Sequence, residues 1–243
     1  MINVITTFSK DGYELYGNRM IDSWLKFWPS NYTLTVYTEG YTLSQTHSRL
    51  KTLDINEKCP NLKLFKDNSE RLLTTSDKKY NNKIKKTIKW CHKVYAMAHA
   101  IKNNSGYLIF LDGDTETLGK VNPAFAETLV GNNLFAVHFE KLKGKLHFET
   151  GLVVFNLSHH FSNWLANELT NAYDSLKIYN LHKTWDGYLF ADLYQQHKLP
   201  VKNLGEGTSG VFSHPEVRRC LKHYVGPKKY EGKGFDRYTG KKK

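Results

Sequence analysis

Tyr107-Leu108-Ile109-Phe110-Leu111, followed without a break by Asp112-Gly113-Asp114, decides how the chain folds. Five consecutive large apolar residues are too few for a stable helix. Bounded by turn chemistry, they predict a strand buried on both faces of a parallel-type sheet. Open α/β sheets bind ligands outside the carboxyl ends of their strands, which is where the two aspartates fall. Gly113 allows a tight turn and close approach of a phosphate. Two carboxylates around one small residue can face a single cation, and oxygen ligands suit Mg2+ or Mn2+, ions that bridge to substrate phosphates.

The pattern around this strand supports the same class. Upstream, Ile2–Phe8 is a β-branched apolar strand. A helical pattern over Asp11–Trp28, stopped by Pro29, leads to a second strand at Tyr32–Tyr37. Strand, helix, strand at these lengths is a βαβ unit and implies parallel pairing. Residues 41–83 are polar and predict loop with short helices. Lys85–Lys102 shows helical spacing through Ile88, Cys91, Tyr95, Ala98 and Ile101. Downstream, strands are expected at Leu134–His138 and Leu152–Phe155, with a hairpin-like Lys141–Lys145 between them. Helices are expected over Phe161–Leu176 and Gly187–His197. Periodicity is lost from Gly205 onward. With no repeat and no linker, the expectation is one α/β domain, residues 1–230, followed by a basic extension, 231–243. Its central sheet should be mostly parallel, Rossmann-like and flanked by helices.

Composition narrows the classes. In 243 residues, 35 Lys+Arg against 23 Asp+Glu give a formal charge of +12, with 40% hydrophobic and 14% aromatic residues. That is enough apolar material for a core and excludes wholesale disorder. No window approaches the ~20 apolar residues of a membrane span, and the mean hydropathy is −0.55. The N-terminus lacks the charged-then-apolar pattern of a signal peptide. Cys59, Cys91 and Cys220 are distant and odd in number. They favour a reducing, cytoplasmic setting over a disulfide framework or structural zinc.

A second motif is His223-Tyr224-Val225-Gly226-Pro227-Lys228-Lys229. An imidazole can complete a Mn2+ site, Gly226 offers an accessible backbone N–H, and Lys229 supplies a point charge for a phosphate oxygen. A mid-chain strand–DxD followed by HxxGxxK resembles the metal-dependent glycosyltransferases of the GT-A fold. It is most similar to the family 8 retaining, galactosyltransferase-like and glycogenin-like enzymes. The resemblance implies a GT-A domain, a Mn2+ (or Mg2+) cofactor and a nucleotide-sugar donor, UDP-linked. It makes Asp112, Asp114 and His223 the metal ligands and sets Asp112, Gly113, Gly226 and Lys229 at the donor diphosphate. Thr6, Thr7 and Phe8 resemble the segment that cradles the nucleoside, with Tyr37 and Glu39 nearby and Lys93 close to the donor. Glu149 and Asp186 become the candidate catalytic carboxylates on the sugar side. One departure is Gly187, where many members carry a polar side chain near the anomeric carbon. Retention of configuration therefore rests on the resemblance, as does hexosyl or pentosyl transfer.

The charge bears on the acceptor. Lysines cluster at Lys78, Lys79, Lys83, Lys85, Lys86, Lys89 and Lys93, at Lys141, Lys143 and Lys145, and from Lys222 through Lys228 and Arg237 to Lys243. Tyr80, Trp90, Tyr224, Tyr230, Phe235 and Tyr238 are interleaved with them. Such a surface suits a polyanion. The leading expectation is DNA, a phage-type transferase modifying a flipped hydroxymethylated pyrimidine. Alternatives are a bacterial lipopolysaccharide or capsule transferase docked on an anionic membrane, a non-enzymatic nucleic-acid-binding module, or a two-metal nuclease. The nuclease would need a third carboxylate such as Glu116 or Glu149. Only the glycosyltransferase expectation accounts for His223-x-x-Gly226-x-x-Lys229. A Lys-rich surface serving solubility alone also accounts for part of the charge.

Overall fold

In the computed structural model, which describes residues 2–73, 77–142, 144–205 and 210–224, the N-terminal βαβ unit forms as its pattern requires. β1 (Ile2–Phe8) leads through α1 (Lys10–Gly12), a π-turn at Tyr13–Gly17 and α2 (Asn18–Phe27) into β2 (Tyr32–Thr38). The Trp28 backbone leaves helical geometry one residue before Pro29. β1 and β2 pair in parallel from Ile2↔Tyr32 to Phe8↔Thr38.

The polar stretch after β2 contains β3 (Leu50–Asp54), α3 (Ile55–Lys58) and α4 (Pro60–Glu70). β3 is an unforeseen strand. It lies at the sheet edge, parallel to β2, and its partly exposed LKTLD sequence shows no apolar alternation. α5 (Lys78–Asn103) begins earlier than its apolar spacing indicated, because the Asp77 side chain caps it by accepting from the Tyr80 N–H. Its first turns are exposed and lysine-rich; burial starts at Ile84.

β4 (Tyr107–Leu111) and the short β5 (Thr115–Thr117) flank the DGD turn. Among the described residues there follow α6 (Phe125–Val130), the hairpin of β6 (Phe135–Leu142) and β7 (Lys145–Asn156), α7 (Ser162–Asp174), α8 (Asp186–His197), β8 (Val201–Asn203), α9 (Pro215–Arg218) and β9 (Leu221–His223). The main sheet has the order β3-β2-β1-β4-β7-β6-β8. Pairing is parallel except at β7, which runs antiparallel to both β4 and β6.

Apolar side chains fill both faces. One layer sets α3, α4, α5, α7 and α8 on the sheet around Phe65, Tyr95, Phe135 and Phe190. The other packs α2, α6 and α9 around Trp24, Trp28, Tyr32 and Phe125. This is a single α/β unit with a mostly parallel central sheet, as the strand pattern predicted. Among the described residues no helix is long and apolar enough to cross a membrane.

A separate two-stranded ladder pairs β5 with β9. Its register sets Thr115 opposite His223, so a histidine more than a hundred residues away in sequence is pinned beside the DGD turn. Three residues are too few for a sequence pattern to reveal such a strand.

Candidate active site

The site lies at the carboxyl end of β4. The Asp112 N–H donates to the Gly151 carbonyl of β7 at 2.9 Å, and the Thr115 N–H donates to the Asp112 carbonyl at 3.0 Å, which closes the turn. A Cβ on Gly113 would stand 2.3 Å from the Phe8 ring. Glycine is therefore required here by packing. Gly151 plays a similar part below the turn, since its missing side chain leaves room for Phe212, His223 and Asp112 at 3.1–3.4 Å from the Cβ position.

Asp112, Asp114 and His223 converge. His223 Nε2 is 2.8 Å from an Asp114 carboxylate oxygen and 3.7 Å from Asp112. One potential ligand atom from each of the three falls within 4.8 Å of the others. Two carboxylates and an imidazole form a donor set that fits Mn2+ or Mg2+. Burial pulls the His223 imidazole down, but the Asp114 hydrogen bond and the charges of Asp112, Asp114 and Glu149 outweigh it and raise its pKa above the usual value. The carboxylates thus favour the protonated form of the ring. Phe212 covers the other side of the ring, with centroids 4.8 Å apart.

Lys93 joins this cluster to Asp186. Its ammonium is 2.8 Å from Asp112, 3.0 Å from Asp186 and 3.1 Å from the Thr150 hydroxyl, which itself donates to Asp186 at 2.6 Å. Burial opposes the charge on Lys93, yet Asp112 and Asp186 hold its pKa above the usual lysine value. Burial likewise opposes ionised Asp186, but Lys93 and Thr150 prevail and lower its pKa. Both groups are charged at neutral pH.

The remaining predicted residues are more scattered. Glu149 accepts the Val211 N–H at 2.8 Å and faces His138 across the β6–β7 ladder. Its charge is felt at His223. Thr6 is buried, and the hydroxyl oxygens of Thr6 and Thr7 have no hydrogen-bond partner among the described residues. Phe8 is buried beside Tyr13 and Tyr16, and its carbonyl accepts from the Tyr41 hydroxyl at 3.1 Å. Tyr37 turns into the core, with its hydroxyl 2.8 Å from His99 Nδ1. Glu39 sits 3.4 Å from His92 Nε2, the atom that Lys66 approaches at 2.6 Å. Burial and the Lys66 charge hold His92 down at about 4, so at neutral pH its ring accepts from Lys66. Gly226 and Lys229 lie outside the described residues, as do Lys143 and the extension 231–243.

Arg19 is a contributor with no sequence signal. Arg19 approaches Glu116 at 3.5 Å and stacks 4.4 Å over Tyr224, which follows His223 directly. The Tyr224 N–H donates to the Asp114 carbonyl at 3.1 Å. Together they clamp β9 onto the turn. The Thr150 hydroxyl bridge between Lys93 and Asp186 is a tertiary fact.

Gly187 is as constrained as Gly113. A Cβ there would lie 2.1 Å from the Phe148 carbonyl oxygen and 2.5 Å from His147 Nε2. Gly187→Ala is expected to cost about 1–3 kcal/mol as α8 is pushed from β7. Urea unfolding measures this, and an unchanged midpoint would contradict the contact.

Solved structures of low sequence identity share this architecture. The chain is similar to mouse xyloside xylosyltransferase 1 with a TM-score of 0.54 and 12% identity, over 84% of this chain and 85% of that one. It is similar to the galactosyltransferase LgtC, solved with donor and acceptor sugar analogs, with a TM-score of 0.52 and 10% identity over 93% and 87%. The glycosyltransferase GlyE of Streptococcus pneumoniae TIGR4 gives 0.54 and 12%, over 93% of this chain but 55% of its own length. No protein-family model matches the chain, and no curated protein matches it. The sheet order, the DGD turn after β4 and these likenesses together show that the chain has a GT-A fold.

Proposed function

We propose that the protein is a metal-dependent glycosyltransferase that moves a sugar from a UDP-sugar to a polyanionic acceptor. The observation that carries this is the linked constellation Asp112–Asp114–His223, joined through Lys93 to Asp186. Asp112, Asp114 and His223 would hold a divalent cation, Mn2+ or Mg2+. When bound, such an ion supplies positive charge to a leaving diphosphate.

The chain's own residues supply the rest. Cleavage of the bond between the anomeric carbon and the β-phosphate oxygen puts negative charge on the diphosphate and positive charge on the sugar. Lys93 is held charged by two carboxylates and adds fixed positive potential on the diphosphate side, where little reorganisation is needed. Asp186 is kept ionised and is suited to hydrogen-bond sugar hydroxyls and to offset the positive ring. Glu149 supplies a further carboxylate nearby. In this proposal Gly226 and Lys229 contact the diphosphate, and Thr6, Thr7 and Phe8 line the nucleoside side with Glu39 and Tyr37 behind them. The acceptor hydroxyl takes the sugar with retained configuration, as in the resembling family.

The lysine face of α5 supports a polyanionic acceptor. Lys78, Lys79, Lys85, Lys86 and Lys89 are exposed on the helix that delivers Lys93 to the site. Trp90 lies exposed among them, its ring 5.8 Å from that of Trp185, the residue before Asp186. Cationic side chains beside aromatic rings suit a nucleic-acid strand, so a hydroxymethylated pyrimidine in DNA is the preferred acceptor.

Calorimetry with Mn2+ and UDP, followed by transfer assays on hydroxymethylcytosine DNA and on anionic glycolipid vesicles, tests both levels. Mn2+-dependent UDP binding and labelled DNA are expected. No UDP binding with either metal would overturn the reaction class. Labelled glycolipid without labelled DNA would overturn the acceptor alone.

A further inference from the structure

Asp186 presents its carboxylate at the start of α8, but the next residue contributes no side chain. β7 crosses so close to Gly187 that the Phe148 carbonyl and the His147 ring take that space. The side-chain polar atom standing there is His147 Nε2, 2.5 Å from the Cβ position, next to the Phe148 carbonyl oxygen at 2.1 Å.

His147 is held from three sides. Its Nδ1 is 3.2 Å from a Glu140 carboxylate oxygen, and Glu140 is its direct register partner across the hairpin. The Trp185 and Tyr188 rings flank it, with centroids at 6.1 and 4.9 Å. An ionised carboxylate only accepts, so Nδ1 carries the proton and donates to Glu140, leaving a lone pair on Nε2. Burial lowers the ring's pKa in spite of Glu140 and Asp186, which favours this neutral form. Nε2 has no hydrogen-bond partner among the described residues, and the side chain keeps 13% of its exposure. The result is an oriented acceptor close enough to Asp186 to feel its charge.

We propose that His147 is a donor-specificity residue, whose Nε2 accepts a hydrogen bond from a hydroxyl of the transferred sugar next to the one bound by Asp186. Phosphate oxygens carry no proton to offer such an atom, whereas adjacent sugar hydroxyls offer two donors to two neighbouring acceptors. Lys93 lies between Asp112 and Asp186, which sets Asp186 and His147 on the side away from the diphosphate. The inference rests on the nucleotide-sugar function proposed above and adds which residue chooses the sugar.

The test compares kcat/KM for UDP-glucose, UDP-galactose, UDP-xylose and UDP-N-acetylglucosamine with Mn2+, alongside UDP affinity by calorimetry. In His147→Ala the preference for the best donor over the next is expected to shrink by at least about tenfold, with UDP affinity unchanged. His147→Gln, whose amide oxygen can accept, should regain part of the preference. His147→Phe fills the space between Trp185 and Tyr188 without an acceptor nitrogen. It should behave as alanine does, and it replaces that variant if alanine does not fold. Wild-type donor ratios in both the Ala and Phe variants would overturn the inference while leaving the reaction class intact. A wild-type protein that binds no UDP would overturn the function, and this inference with it.

Discussion

Asp114→Ala is expected to lower metal-dependent sugar release or transfer from a UDP-sugar by about 10³-fold, the scale of removing a preorganised electrostatic group from a transition state. Asp114 holds His223 at 2.8 Å, so one change removes a proposed ligand and loosens a second. The fold should survive. The ladder that sets His223 opposite Thr115 is made by backbone groups, as is the Tyr224 bond to the Asp114 carbonyl. The stability cost is about 1.5–3 kcal/mol, the net worth of one hydrogen bond to a charged group. Activity assays with and without EDTA, paired with thermal unfolding, check both parts. Undiminished activity of the variant in EDTA would remove Asp114 from the mechanism.

Lys93→Met is the larger stability test. It leaves the carboxylates of Asp112 and Asp186 without the ammonium now 2.8 and 3.0 Å away. Breaking one partner out of a buried ion cluster costs about 3–5 kcal/mol at pH 7. The loss should depend on pH in a definite sense. In the native protein the Asp186 pKa is lowered, so its contribution is present above the unfolded carboxylate pKa and fades as pH falls through the folded value. In the variant, burial without Lys93 raises that pKa, so the folded form gains stability by taking up a proton as pH falls. The gap between the two proteins therefore narrows from pH 7 toward pH 4. Urea unfolding at several pH values measures it, and a gap that is small or independent of pH would mean Lys93 is not the counter-ion described.

Both expectations depend on contacts between elements that are far apart in the chain. The aspartates were legible because a strand with five apolar residues announces itself and its carboxyl end is a known place for ligands. The partners of those aspartates were legible only as a motif. Nothing local to Lys93 distinguishes it from Lys89 or Lys86, four and seven residues earlier on the same helix, until the helix packs on β1 and aims it at Asp112. β3 was missed for a related reason. An edge strand with one neighbour has no need of alternating apolar residues, so it looks like loop until β2 is beside it. Tyr37 shows the converse: a residue at the end of a strand expected to border the donor turns its hydroxyl into the core, to His99.

By itself, the sequence determined the class of the fold, the βαβ beginning, the long central helix and the acidic turn after β4. Each of these follows from hydrophobic period, turn chemistry or a cap within a few residues, and such local terms are written directly in the chain. Tertiary structure alone decided that β7 runs antiparallel between β4 and β6, that a three-residue ladder holds His223 against Asp114, and that Thr150 bridges Lys93 and Asp186. It also decided that His147 fills the space denied to residue 187. Those features come from backbone register and close packing between distant segments, which have no signature until the segments meet.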